Sequence, residues 1–164
     1  VRDISEILAS FLLLVRASRK DGLDNFVDHE LRTRDLALTD ENSCRILFEF
    51  PYIGDTYQAL QQGIAAAPHC LHFVEYTDLV ERPQTILEQI YKFLELPAFK
   101  HDLEKITLPI EEDDKFWGLK GLHKIRPRLG KTSLSAREIL GDQLFEFYQQ
   151  QHLEFWRLKS SVFV

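Results

Sequence analysis

The apolar residues near the start of the chain recur at the spacing of an α-helix. Over Ile4–Arg19, positions 7, 8, 11, 12, 14 and 15 are apolar and share one broad helical face. Asp3 stands where a helix N-cap is expected, and Glu6 follows three residues later, which is the arrangement of a capping box. The pattern therefore predicts an amphipathic helix that begins directly after Val1 and Arg2, which are expected to end a β-strand.

Later segments show helical spacing as well. Three of them have an apolar side or a helix-start signal and are expected to be helical, namely 51–67, 83–97 and 135–150. Ser135 and Glu138 form a second capping-box pattern at the start of the last one. The segment 26–44 is polar and charged and is expected to form helical pieces with a surface loop.

The run HCLHFVEY, His69–Tyr76, has a different pattern. It is short and rich in aromatic and apolar residues, as expected of a buried strand in a parallel sheet. A turn and a helix are predicted to follow, and strand, turn and helix form the elementary unit of an α/β domain. The sequence therefore predicts a single α/β domain over residues 1–164, with a parallel sheet and many helices.

Composition narrows the function classes. The chain has 164 residues, 45% of them hydrophobic, which suffices for a sizeable core. Its net charge of −6 argues against a nucleic-acid coat and against a polybasic membrane anchor. Cys44 and Cys70 lack the spacing of metal ligands and favour reduced thiols in the cytoplasm. Methionine is absent throughout, so we expect this chain to be a piece of a longer protein.

Two parts of this pattern point to ligand chemistry. Ser10 lies about two turns into the first helix, roughly 10 Å along its axis from the start. The long side chain of Arg2 is expected to reach the same anion as the Ser10 hydroxyl. A guanidinium and a hydroxyl placed in this way suit a phosphate, although a salt bridge for Arg2 and simple packing for Ser10 are the plain alternative. Tyr76 ends the predicted strand, and ligands of open α/β sheets bind at such strand ends. Its aromatic ring is expected either to stack on a planar base or to pack on the sheet edge.

The segment Gly118–Arg137 contains no acidic residue, although the chain as a whole is negative. This excess of positive charge indicates either a polyanion site or a solvated face. The cations of the segment are Lys120, Lys124, Arg126, Arg128, Lys131 and Arg137. The histidines and acidic residues show no metal-ligand spacing, so no metal is expected. No nucleophile-elbow or phosphate-loop motif occurs in the chain.

Taken in order, VRDISEILAS, VEYTDLVERPQTILEQIYKFLELP and HKIRPRLGK resemble the C-terminal part of sulfotransferases that use 3′-phosphoadenosine 5′-phosphosulfate. The basic stretch departs from the family's commoner form and is closer to that of a bacterial and phage branch. The resemblance implies a three-layer, P-loop-NTPase-like α/β fold whose N-terminal strand, 5′-phosphosulfate loop and helix precede Val1. It also implies that Arg2 and Ser10 hold the 3′-phosphate, that Tyr76 lies against the adenine, and that a basic loop closes over the 3′-phosphate with residues from among Lys124, Arg126, Arg128 and Lys131.

The activity implied by the resemblance is transfer of a sulfuryl group to a hydroxyl or amine acceptor, which is a small molecule or a glycan. The family's catalytic base lies upstream of the strand that ends at Arg2, so no catalytic residue is assigned and the chain alone is expected to be inactive. Two alternatives stay open from the residues themselves. One is a nucleotide-kinase-like phosphoryl transferase, and the other is a non-catalytic helical module whose basic segment docks an acidic partner.

Overall fold

The structure is a computed structural model that describes residues 1–49, 51–107, 114, 118–119, 121–125, 127, 129–130 and 134–157. Its α-helices within these residues are α1 Ile4–Lys20, α2 Phe26–Thr33, α3 Asp40–Glu49, α4 Thr56–Ala66, α5 Tyr76–Glu81, α6 Pro83–Phe93, α7 Ala136–Leu140 and α8 Asp142–Arg157. A π-helical turn, Pro51–Asp55, leads into α4, and a 3-10 turn, Pro68–Cys70, follows it. In the described part of the chain, no helix combines the length and the apolar character needed to cross a bilayer.

Helix α1 lies at the centre of the core, and its predicted start at Ile4 is confirmed. The Asp3 side chain caps it by accepting a hydrogen bond from the Ser5 backbone N–H at 2.8 Å. Leu8, Leu12 and Val15 are fully buried on the side of α1 that contacts α3, α7 and α8. Burying each such side chain contributes about 1.5–3 kcal/mol relative to leaving it in water, so the amphipathic pattern determines which face of α1 points inward.

The neighbouring helices complete this core with residues that are themselves almost inaccessible to solvent: Val27, Leu31, Ile46, Leu47, Ile139, Leu140 and Tyr148. Ion pairs bind α2 and α3 to the far end of α1. The Arg19 guanidinium lies 2.6 Å from the buried Asp28 carboxylate, and Arg16 lies 2.7 Å from Asp40. Because Asp28 is paired and hydrogen-bonded, its burial does not leave an uncompensated charge in the core.

The prediction of an α/β fold is wrong. The described residues contain helices and no β-strand, so neither a parallel sheet nor the three-layer, P-loop-NTPase-like architecture is present in them. The expected strand His69–Tyr76 is instead the end of a 3-10 turn, an extended stretch at 71–75 and the first residue of α5. His72 and Glu75 are exposed, whereas a strand inside a parallel sheet is covered on both faces.

The extended stretch does make one short backbone pairing. The Val1 amino group donates to the Val74 carbonyl, and the Tyr76 N–H donates to the Val1 carbonyl at 2.7 Å. These two bonds alternate as in a parallel ladder, but both are made by a single residue, Val1. Val1 and Arg2 therefore pair with the residues before α5 without forming the strand that the sequence predicted.

Two predicted helices are interrupted. The helix expected over 51–67 begins as the π-helical turn and becomes α-helical only from Thr56. The helix expected over 135–150 is divided at Gly141, whose φ of +76° is a conformation that glycine adopts without a steric penalty. The capping box of Ser135 and Glu138 is confirmed at the start of α7.

The two cysteines are expected to react at very different rates with a thiol reagent. Cys44 is fully buried, and this burial, with a smaller contribution from Asp40, raises the pKa of its thiol to about 12, whereas Cys70 is exposed. In the native protein at pH 8 we expect one thiol to react rapidly with a chromogenic disulfide, and two in denaturant. Cys70→Ser should remove the rapid phase, and two rapid thiols in the folded protein would contradict the buried position of Cys44.

Candidate functional site

A cavity of about 480 Å³ lies beside the N-terminal half of α1. One wall consists of residues from the start of the chain, α1 and α5, and the other consists of residues from α7 and α8 and the segment before α7. The structure places Arg2, Ser10 and Tyr76 together on the first wall. Three of the residues singled out from the sequence therefore line one cavity, and their binding to a ligand stays a prediction.

Arg2 and Tyr76 are held next to each other by the backbone pairing of Val1 with the residues before α5. The guanidinium carbon of Arg2 lies 4.4 Å from the centroid of the Tyr76 ring, within the range of a cation–π contact. The Arg2 Nε donates to the Glu6 carboxylate at 3.1 Å, one helical turn into α1. The guanidinium is thus fixed at the cavity wall, and in this arrangement a carboxylate partly offsets its charge.

Ser10 lies further along α1, half-buried between Ala9 and Leu13 of the same cavity wall. The helix sets its position, because α1 continues without a break through Ser10 and its opposite face is anchored in the core. Arg2 lies just before α1 and Ser10 lies within it, so the helical rise alone predicts the separation of the two residues along the axis.

The second wall is built around α7. Ile139 and Leu140 are buried in the core, and the Arg16 guanidinium donates to the Ile139 carbonyl at 2.9 Å. At the start of α7 the Ser135 hydroxyl and backbone N–H both donate to Glu138, and these bonds lower the pKa of the Glu138 carboxyl. The capping bonds therefore fix the start of α7, while its packing and the bond from Arg16 attach its C-terminal end to α1.

Contacts between Asp3 of the first wall and α8 of the second wall join the two walls. Besides capping α1, the Asp3 carboxylate accepts a hydrogen bond from Gln149 Nε2 at 2.9 Å and lies 3.8 Å from His152 Nε2. Sequence analysis missed Gln149 and Phe145, which both line the cavity from α8. Neither shows a local signal, because each reaches the cavity only through the tertiary packing of α8 on α1.

The predicted basic loop does not complete this cavity within the described residues. Lys124 is exposed and does not line the cavity, and its backbone N–H bonds to the Gly121 carbonyl at 3.2 Å. Arg126, Arg128 and Lys131 lie outside the described residues. Of the residues that the structure places along the cavity, Arg2 and Arg137 carry positive charge, whereas Asp3, Glu6 and Glu138 are acidic.

The comparisons with known proteins add no identification. No protein-family model, curated protein or solved structure matches this chain. In the described part of the chain, no group of three or more histidine, cysteine or acidic side chains is arranged to hold a metal ion. The geometry of the cavity, with guanidinium, hydroxyl and aromatic groups on its walls, suits a ligand that carries both a phosphate and a planar ring.

Proposed function

We propose that the cavity binds the adenosine 3′,5′-bisphosphate part of 3′-phosphoadenosine 5′-phosphosulfate. The chain would thereby supply the donor-binding part of a sulfuryl transfer to a hydroxyl or amine acceptor on a small molecule or glycan. The observation that carries this proposal is that Tyr76, which is distant in sequence from Arg2 and Ser10, lines one cavity with them. The sequence resemblance gives these same residues the 3′-phosphate and the adenine.

The chemistry of the cavity supports this ligand. Arg2 offers a forked donor and Ser10 a hydroxyl, which together suit the oxygens of a phosphate. Tyr76 offers an aromatic ring at the cavity wall for stacking on a purine. The cavity volume of about 480 Å³ lies in the range of small-molecule sites. Because transfer of a charged group depends mainly on positioning and charge stabilisation, a part that fixes the donor nucleotide has a defined role in it.

A phosphate must compete with Glu6 for Arg2. The Glu6 carboxylate lies 3.1 Å from Arg2 Nε and belongs to the same cavity, where it opposes any dianionic ligand. Asp3 and Glu138 are differently placed, because each accepts hydrogen bonds that fix a helix start. Glu6 is therefore the carboxylate expected to move away from Arg2 when the ligand binds.

Glu6→Gln is expected to strengthen binding of adenosine 3′,5′-bisphosphate by about fivefold, because it removes a like charge beside the phosphate and keeps the side-chain shape. Isothermal titration calorimetry at low ionic strength measures the change. Glu88→Gln is the matched control, because Glu88 is a carboxylate on α6 that accepts from Gln84 and does not line the cavity. Weaker binding by Glu6→Gln would show that Glu6 holds Arg2 in the binding position.

Calorimetric titration of the chain with adenosine 3′,5′-bisphosphate, 5′-AMP and ATP tests the proposed function. We expect the bisphosphate to bind in the micromolar range and at least tenfold more tightly than 5′-AMP or ATP, because only it carries the 3′-phosphate. Preference for ATP would favour the nucleotide-kinase alternative and overturn the proposal. An absence of binding to all three nucleotides would overturn it in favour of a non-catalytic interaction module.

We also propose a cytoplasmic location. Cys44 and Cys70 are both free, and Cys70 is exposed. An exposed free thiol persists most readily in a reducing compartment, where disulfide formation is disfavoured. Labelling of Cys70 in intact and in permeabilised cells with an impermeant thiol reagent tests the location, and labelling in intact cells would contradict it.

A further inference from the structure

A second guanidinium and aromatic ring form a pair on the other wall of the cavity. The guanidinium carbon of Arg137 lies 4.4 Å from the centroid of the Phe145 ring, the same distance as between Arg2 and Tyr76. Arg137 and Phe145 both line the cavity. The cavity therefore has a cation stacked on a ring on each of its two walls.

The position of Arg137 is set by the core. Arg137 lies two and three residues before Ile139 and Leu140, which are both buried, and it directly precedes Glu138 of the capping box. Asp142 accepts a hydrogen bond from Arg137 Nη1 at 2.6 Å, and Glu146 accepts one from Nη2. The guanidinium is thus held in one orientation before any ligand binds, which lowers the entropic cost of using it.

Arg137 still has binding capacity for an anion. Two of the five N–H donors of its guanidinium are used by Asp142 and Glu146, and the remaining three have no hydrogen-bond partner among the described residues. Asp142 and Glu146 are 83% and 64% exposed and do not line the cavity, so solvent screens their charge. Arg137 and its ring partner Phe145 line the cavity, and the acidic partners of Arg137 do not.

From this arrangement we infer that Arg137 is a further binding residue, which takes the anionic group at the 5′ end of the nucleotide while Arg2 takes the 3′-phosphate. The inference rests on the proposed function and extends it, because it makes the cavity selective for a ligand with two anionic groups. A nucleotide with one phosphate would occupy one guanidinium and leave the other paired only with the protein's own carboxylates. The bisphosphate would engage both walls at once.

The test compares two ligands, adenosine 3′,5′-bisphosphate and 3′-AMP, in the wild-type chain and in three variants. Arg137→Ala is expected to weaken binding of the bisphosphate by about tenfold or more and to leave 3′-AMP within twofold, because only the bisphosphate has the 5′-phosphate. Arg137→Lys keeps the charge without the fork and should give an intermediate loss. Arg82→Ala is the matched control, because Arg82 also bonds a carboxylate at 2.6 Å, that of Asp78, and does not line the cavity.

The outcomes separate this inference from the proposed function. If the wild-type chain binds the bisphosphate and Arg137→Ala binds both ligands as the wild type does, the role of Arg137 is wrong and the proposed function stands. Equal weakening of both ligands, with an unchanged unfolding midpoint, would place Arg137 at a part of the nucleotide that both share and would also overturn the inference. If the wild-type chain binds neither ligand, the proposed function fails and the inference fails with it.

Discussion

Arg2→Ala is expected to weaken binding of adenosine 3′,5′-bisphosphate by about 100-fold. The loss combines a charge-assisted hydrogen bond to the phosphate with the cation–π contact that keeps Tyr76 in place, together about 2.7 kcal/mol. The guanidinium lies 4.4 Å from the Tyr76 ring centroid and its side chain is 25% exposed, so the residue is already ordered at the cavity wall. Calorimetric titration measures the affinity, and 5′-AMP, which lacks the 3′-phosphate, should lose much less.

The control for this prediction is Arg45→Ala. Arg45 pairs with Glu49 four residues later on α3, as Arg2 pairs with Glu6, but it does not line the cavity. Both substitutions remove one ion pair that is at least partly open to solvent, and each should change the free energy of unfolding by less than about 1 kcal/mol. Unchanged nucleotide affinity in Arg2→Ala would show that Arg2 acts only as a partner of Glu6 and Tyr76, and the proposed phosphate site would be wrong.

The features of the fold that were predicted correctly depend on residues close together in sequence. The start of α1 follows from Asp3 and the helical spacing behind it, and the start of α7 follows from Ser135 and Glu138. The strand at His69–Tyr76 was predicted wrongly, because a short apolar run becomes a strand only where neighbouring strands pair with it. In the described residues its single backbone partner segment is Val1, so the run stays extended and leads into α5.

The residues of the candidate site likewise include some that the sequence predicts locally and some that it does not. Arg2 and Ser10 share one helix start, so their spacing could be worked out from the sequence. Arg137 was visible only as one cation of a basic segment, and nothing local distinguished it from Lys124, which lies away from the cavity. Its contact with Phe145 spans the break at Gly141 that separates α7 from α8. Long-range placement of this kind depends on packing, and a hydropathy pattern carries no information about it.

Gly118→Ala is expected to lower the free energy of unfolding by about 3 to 5 kcal/mol. Gly118 has a φ of +62°, and a Cβ placed there would lie 1.9 Å from the Asp24 carbonyl oxygen and 2.7 Å from the Asn25 Cα. Both obstacles are backbone atoms, and Asn25 is buried while its side chain caps α2. The contact can be relieved only by moving the corner between α1 and α2 or by releasing the segment of Gly118 and the fully buried Leu119, so strain and lost packing add to the cost of positive φ.

Comparison with Gly22→Ala separates the effect of the close contact at Gly118 from the effect of a positive φ. Gly22 has nearly the same φ, +66°, but a Cβ there would meet no atom within 4 Å, so its substitution should cost only about 1 to 2 kcal/mol. Urea denaturation of both variants measures the difference. Ser18→Ala provides a second check, because the Ser18 hydroxyl donates to the Gly118 carbonyl and its loss should weaken the same docking by about 1 kcal/mol. Equal destabilisation by Gly118→Ala and Gly22→Ala would show that the segment at Gly118 does not lie against Asp24 and Asn25 in solution.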